Sequence, residues 1–81
     1  MVELNRHAER ELDKLSDAVL QRIVERLRAL GENPFPRGSK KLRGGHGYRL
    51  RVGDDRVLHE VFKLDRRIVV YAVGHRPDVY R

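Results

Sequence analysis

Arginines recur through the second half of this 81-residue chain at a spacing suited to chemistry on a phosphate. Arg49 and Arg51 alternate with Tyr48, Leu50 and Val52, so a strand there turns both guanidiniums toward one face. Arg56 opens the next apolar run, and Arg76 follows a third in the closing segment Val73-Gly74-His75-Arg76-Pro77-Asp78-Val79-Tyr80. Three neighbouring strand segments thus each deliver a cation, and His75 and Tyr80 lie beside the last. A guanidinium is planar, permanently charged and matched to phosphate oxygens, so a convergent set points to a phosphate-rich ligand.

The charge balance supports this reading. The chain carries a net charge of +6 and a pI of about 10.3. Residues 1–40 hold eight Lys/Arg against seven Asp/Glu, while residues 41–81 hold ten against five, so the excess belongs to the half that carries the arginines. Localised positive charge favours nucleic acid, an anionic membrane surface or an acidic protein partner. The bland alternative is a basic surface that only keeps a small domain in solution. There is no cysteine, hence no disulfide and no thiolate zinc site, and His7, His46, His59 and His75 show no paired metal-ligand spacing. Met1–His7 lacks the apolar core of a signal peptide, and the longest apolar run, Ile68–Val73, has the length of a strand. The expectation is one soluble cytoplasmic domain over residues 1–81, with no membrane segment and no metal.

The elements that must position these residues follow from periodicity. Val2-Glu3-Leu4 alternates and reads as a possible short first strand. Asn5 is an N-cap for a helix over Arg6–Leu15 with Ala8, Leu12 and Leu15 on one stripe. Ser16 caps a second helix, in which Leu20, Ile23, Val24, Leu27 and Leu30 recur through Ala18–Leu30 and Gly31 is the natural stop. From Tyr48 the period changes to 2, predicting strands at Tyr48–Val52, Arg56–Phe62 and Arg67–Val73 joined by the turns Gly53-Asp54-Asp55 and Lys63–Arg66. Connections this short require antiparallel hairpins. The predicted fold is α+β, an N-terminal helical hairpin packed on a small antiparallel sheet. The helices cover the face of Tyr48, Leu50 and Val52, which leaves Arg49 and Arg51 on the open one.

Glu32–Gly47 reads as irregular, with Pro34, Pro36, Gly38 and Gly44-Gly45-His46-Gly47 punctuating Lys40-Lys41-Leu42-Arg43. It lacks the spacing of a nucleotide-binding P-loop. It is either a flexible basic loop or a second contact to a nucleic-acid backbone, through Lys40, Lys41 and Arg43.

The order Lys41-Leu42-Arg43-Gly44, Tyr48-Arg49-Leu50-Arg51-Val52-Gly53-Asp54, Arg56-Val57-Leu58-His59-Glu60-Val61 and Val73–Tyr80 resembles RelE, the mRNA-cleaving branch of the bacterial RelE/ParE toxin–antitoxin superfamily. The resemblance covers nearly the whole chain. It implies a ribosome-dependent endoribonuclease that cuts messenger RNA in the decoding site, needs no cofactor, and is neutralised by a RelB-like antitoxin encoded alongside it. By the resemblance Arg49 and Arg51, where the family often has lysine, hold the RNA backbone and scissile phosphate, and Arg56 contacts the reacting phosphate. Arg76 stabilises the transition state or protonates the leaving group, and Tyr80 is the general base and stacking platform. One departure is the tight spacing between Arg76 and Tyr80, with Pro77 alone before Asp78-Val79-Tyr80.

This inventory suits metal-free cleavage, in which the ribose 2′-OH attacks its own phosphate to give a cyclic phosphate and a free 5′-OH. Fixed cations aimed at the equatorial oxygens stabilise that transition state above the ground state. Proton transfer leaves two candidates. Tyr80 needs surrounding cations to lower a pKa that is ordinarily about 10, whereas His75, ordinarily about 6.5, is the more conventional carrier. Structural readings stand beside these: Arg49 and Arg51 as a solvated sheet face, Arg56 paired with Asp54 or Glu60, His75 as a turn residue, Tyr80 as an anchor. His59, mid-strand, reads as a packing residue. The rivals in function are a ParE-like inhibitor of DNA gyrase, which works by binding, and a basic RNA-binding relative without activity.

Overall fold

Asn5 and Ser16 open the two helices as N-caps. Asn5 Oδ1 accepts the Ala8 N–H at 2.8 Å and Ser16 Oγ accepts that of Val19 at 3.4 Å, each satisfying a donor the first helical turn leaves unpaired. The computed structural model describes residues 1–44 and 47–75, with helices α1 (Arg6–Asp13) and α2 (Asp17–Glu32). Five strands accompany them: β1 (Val2–Leu4), β2 (Ser39–Lys41), β3 (Tyr48–Val52), β4 (Asp55–Phe62) and β5 (Arg67–His75). They form one sheet in the order β1-β5-β4-β3-β2. β2, β3, β4 and β5 pair antiparallel in succession, while β1 joins the far edge parallel to β5, with Val2 opposite Ile68. The fold is the predicted α+β arrangement, a helical hairpin on one face of a mostly antiparallel sheet.

The predicted helical stripe is the core. Ala8, Leu12, Ile23, Leu27 and Leu30 are buried against Leu50, Val52, Val57, Ile68, Val70 and Val73. Full burial of one such aliphatic side chain contributes about 1.5–3 kcal/mol. His59 lies in the same layer, wholly buried and stacked on Tyr48 with ring centroids 6.1 Å apart. Its reading as a packing residue agrees with that position.

Two features depart from the sequence reading, and a glycine constraint accompanies them. Helix α2 does not stop at Gly31 but runs through it to Glu32, where Asn33 caps it. Gly31 serves a close approach instead: a Cβ there would lie 3.3 Å from Val2 Cγ2, where the helix end meets β1. The segment read as irregular contains β2, whose Ser39, Lys40 and Lys41 pair with Leu50, Arg49 and Tyr48. Ser-Lys-Lys has no apolar alternation because it is a short edge strand, where lysines discourage pairing with a further chain. Gly47 returns the chain over β4 so tightly that a Cβ would sit 2.1 Å from the His59 carbonyl oxygen, and its φ is +87°. Only glycine fits there.

The β4–β5 ladder also contains a bulge. Leu58 pairs with Ala72 but His59 with Val70, so Tyr71 is an extra residue in β5. Tyr71 and Ala72 consequently both pack with Leu58 and Leu42 in a small cluster separate from the main core.

Candidate nucleic-acid interface

Pairing in the sheet brings the predicted cations together on the face away from the helices. Arg51 stands directly opposite Arg56 across β3–β4, and Arg49 opposite Lys40 across β2–β3. Residues paired across strands point to the same face, so the four form two neighbouring rows. A cavity of about 280 Å³ between them is lined by Gly38, Lys40, Arg49, Arg51 and Arg56. A smaller one, about 140 Å³, shares Arg51 and Arg56 and adds Asp54 and His75. A third, about 300 Å³, continues along Lys40, Lys41, Leu42, Arg43 and Arg49. The result is a basic lane from His75 at the end of β5 to Arg43 beyond β2.

Arg56 is the unusual member. It is only 2% exposed, yet its Nε has no hydrogen-bond partner, and Nη1 reaches only the Asp55 carbonyl oxygen, at 3.3 Å. Among the described residues neither Asp54 nor Glu60 pairs with it, so the alternative of a structural ion pair finds no contact there. Cross-strand like charges such as Arg51 and Arg56 disfavour the sheet by about 0.2–1 kcal/mol, and a buried cation without a counter-charge is costlier still. An anion entering the cavity relieves both penalties.

His59 is the other buried polar side chain among the described residues, and it faces the helices. Both ring nitrogens lack a hydrogen-bond partner meeting normal geometry. Burial pushes its pKa below the usual 6.5, and a loose approach to the Val57 backbone opposes that only partly. It is a neutral core group and not part of the lane. Tyr71, on the open face, has its phenol pushed above the usual 10 by burial first and by the charge of Glu60 second.

Of the residues singled out from sequence, Arg49, Arg51, Arg56, His75, Lys40, Lys41 and Arg43 all line this continuous set of cavities. Arg76 and Tyr80 lie outside the described residues. Sequence reasoning did not select Gly38 and Asp54 as lining residues, nor the cluster of Leu42, Leu58, Tyr71 and Ala72 on the open face. The Arg49–Leu58 pairing of the hairpin could have placed Leu58 on the arginine face. The bulge that adds Tyr71 leaves no local signal. Among the described residues there is no group of three His, Cys, Asp or Glu side chains able to hold a metal ion, and no helix long and apolar enough to cross a membrane.

Two helices on one face of a five-stranded sheet, with converging cations on the other, define a small α+β domain with one basic face. The family described as ParE toxin of type II toxin–antitoxin system, parDE, matches residues 2–80. A Methanocaldococcus jannaschii sequence that carries the toxin name RelE1 is 30% identical over 84 residues, covering 99% of this chain and 93% of that one. The toxin–antitoxin complex RelBE2 of Mycobacterium tuberculosis superposes with a TM-score of 0.84 at 29% identity, over 94% of this chain and 96% of that chain. The isolated RelE toxin of E. coli superposes with a TM-score of 0.80 at 25% identity, over 99% of this chain and 89% of that one. The chain belongs to the RelE/ParE superfamily and is a toxin of a type II toxin–antitoxin system.

Proposed function

We propose that this toxin is a ribosome-dependent endoribonuclease that cleaves messenger RNA in the decoding site. The observation that carries the reading is Arg56: a buried guanidinium with an unpaired Nε, facing Arg51, on the wall of a cavity shared with Lys40 and Arg49. A buried guanidinium with an unpaired Nε is organised for an anion before the anion arrives. In the proposed reaction the 2′-OH attacks the adjacent phosphorus and the 5′-oxygen departs, leaving a 2′,3′-cyclic phosphate. Negative charge grows on the equatorial oxygens, where Arg51 and Arg56 neutralise it without reorganising. Arg49, Lys40, Lys41 and Arg43 hold the backbone on either side. The end of β5 at His75 borders the same space as Arg51 and Arg56, and the candidate proton carriers are His75 and Tyr80, with Arg76 as a further transition-state cation. The reading needs neither metal nor cofactor.

The partners in this reading are the ribosome with its messenger in the cytoplasm, and a RelB-like antitoxin that covers the basic face. Support for the antitoxin comes from the M. tuberculosis neighbour and from an archaeal one from Pyrococcus horikoshii at 29% identity, both complexes of a RelE-type toxin with its antitoxin.

A second reading, a ParE-like inhibitor of DNA gyrase, is favoured by the ParE description of the matching family. Primer extension on a defined messenger, with and without programmed ribosomes, separates the two. Cuts confined to the decoding site and absent with Arg76→Ala are expected. No cuts from a folded preparation, together with loss of gyrase supercoiling, overturns the nuclease reading.

A further inference from the structure

Among the described residues, the strand that delivers His75 has no strand beside its outer edge beyond Val70. β1 covers β5 only as far as Val70: Ile68 N–H donates to the Met1 carbonyl at 2.8 Å, Asn5 N–H donates to the Val70 carbonyl at 3.0 Å, and the chain then leaves for α1. Beyond that point the bulge changes the parity of β5. Val70 faces the helices, Tyr71 and Ala72 both pack on the open face, and Val73 returns to the core opposite Val57. The Val73 N–H therefore turns to the uncovered edge, as that of Ile68 does further back. Without a partner it would be a half-buried donor left unpaired, which costs about 1–3 kcal/mol.

The partner is a side chain 62 residues earlier. Glu11 Oε1, on α1, accepts the Val73 N–H at 2.8 Å. The Glu11 side chain is a quarter exposed, and the bond is charge-assisted. His7 touches the same oxygen at 3.2 Å, but its side chain is 68% exposed, so that pair contributes little. Glu11 thus does for the end of β5 what a continuation of β1 would do, and the carboxylate also blocks that edge to a foreign strand.

We infer that Glu11 is a positioning residue: by holding the Val73 amide it sets the end of β5, and with it where His75 stands relative to Arg51 and Arg56. His75 is two residues beyond the bond, opposite Asp55 at the last pair of the ladder, and among the described residues β4 is its one strand neighbour. Neither Glu11 nor Val73 lines any of the three cavities among the described residues. The consequence for cleavage rests on the nuclease reading above; the consequence for β5 does not.

The test compares Glu11→Ala, Glu11→Gln and His7→Ala in the full chain. Amide hydrogen exchange followed by NMR should quicken about 10- to 100-fold at Val73 and at Gly74, whose N–H faces β4 at the end of the ladder, in Glu11→Ala, with the Val57 and Val70 amides unchanged. Glu11→Gln, whose amide oxygen still accepts the bond, should restore protection, and His7→Ala should leave it as in the parent. In ribosome-programmed cleavage Glu11→Ala should lower kcat about tenfold with KM little changed, and Glu11→Gln should recover it. Exchange that rises uniformly across the sheet, or is unchanged at Val73, overturns the inference, as does parent-like cleavage by Glu11→Ala. If the parent itself does not cut, the nuclease reading fails, and the exchange pattern alone then decides whether Glu11 holds β5.

Discussion

On the helix side of the sheet His59 is wholly buried, and on the open side Arg56 is 2% exposed; each keeps polar nitrogen atoms from water without a normal hydrogen-bond partner. The two side chains meet the same penalty by opposite routes. Imidazole can shed its proton, so burial simply lowers the His59 pKa and the core holds a neutral ring stacked on Tyr48. Guanidinium cannot be deprotonated in a protein, so Arg56 keeps its charge wherever the fold puts it. A buried neutral ring is complete as it stands. A buried unpaired cation opposite a second cation is complete only with an anion, and that difference separates a packing face from a binding face.

The comparison can be broken most sharply at Arg56. Arg56→Leu should lower ribosome-dependent cleavage about 10²–10³-fold, the loss seen when a preorganised transition-state donor is removed. The same substitution should leave the urea midpoint unchanged or raised, because it removes an unpaired buried charge. Cleavage at the parental rate, or a large fall in midpoint, would mean that Arg56 serves the fold and not the phosphate.

Leu50 is the matching probe on the other face, fully buried between the arginines of the same strand. Leu50→Ala should cost about 2–5 kcal/mol of stability, with activity per folded molecule largely kept. Equal damage to both measurements would show that the two faces are not separable.

The smallest effect concerns His59 and pH. Its folded pKa lies below the unfolded value of about 6.5, so between the two the unfolded chain binds the extra proton. The stability tied to neutral His59 is therefore fully present above about pH 6.5 and is lost as pH falls through the folded value, by at most about 1.4 kcal/mol per pH unit. Urea unfolding between pH 7.5 and 5 should show this slope in the parent and a reduced one in His59→Leu. Identical slopes would mean that His59 does not titrate on unfolding in this range.

Much of the fold could be read locally. The caps Asn5 and Ser16, the helical stripe from Ala8 to Leu30, and the strand spans beginning at Tyr48 and Arg67 depend on contacts between near neighbours in the chain, which leave a period in the sequence. The clustering of arginines on one face followed from that same alternation. Less legible was the strand that carries Lys40 to Arg49, an edge strand too short and too polar to show a period.

What residue order alone determined, then, was the kind of each element and the side on which Arg49 and Arg51 would fall, because alternation along a strand is a property of the backbone. Tertiary structure decided the rest: that β1 runs parallel to β5 across more than sixty residues of chain, that Tyr71 bulges, that Glu11 finds Val73, and that Arg56 is buried with no counter-charge among the described residues. Each of these depends on which distant segments meet. The free energy of such a meeting is shared between two stretches of sequence, and neither stretch records it by itself.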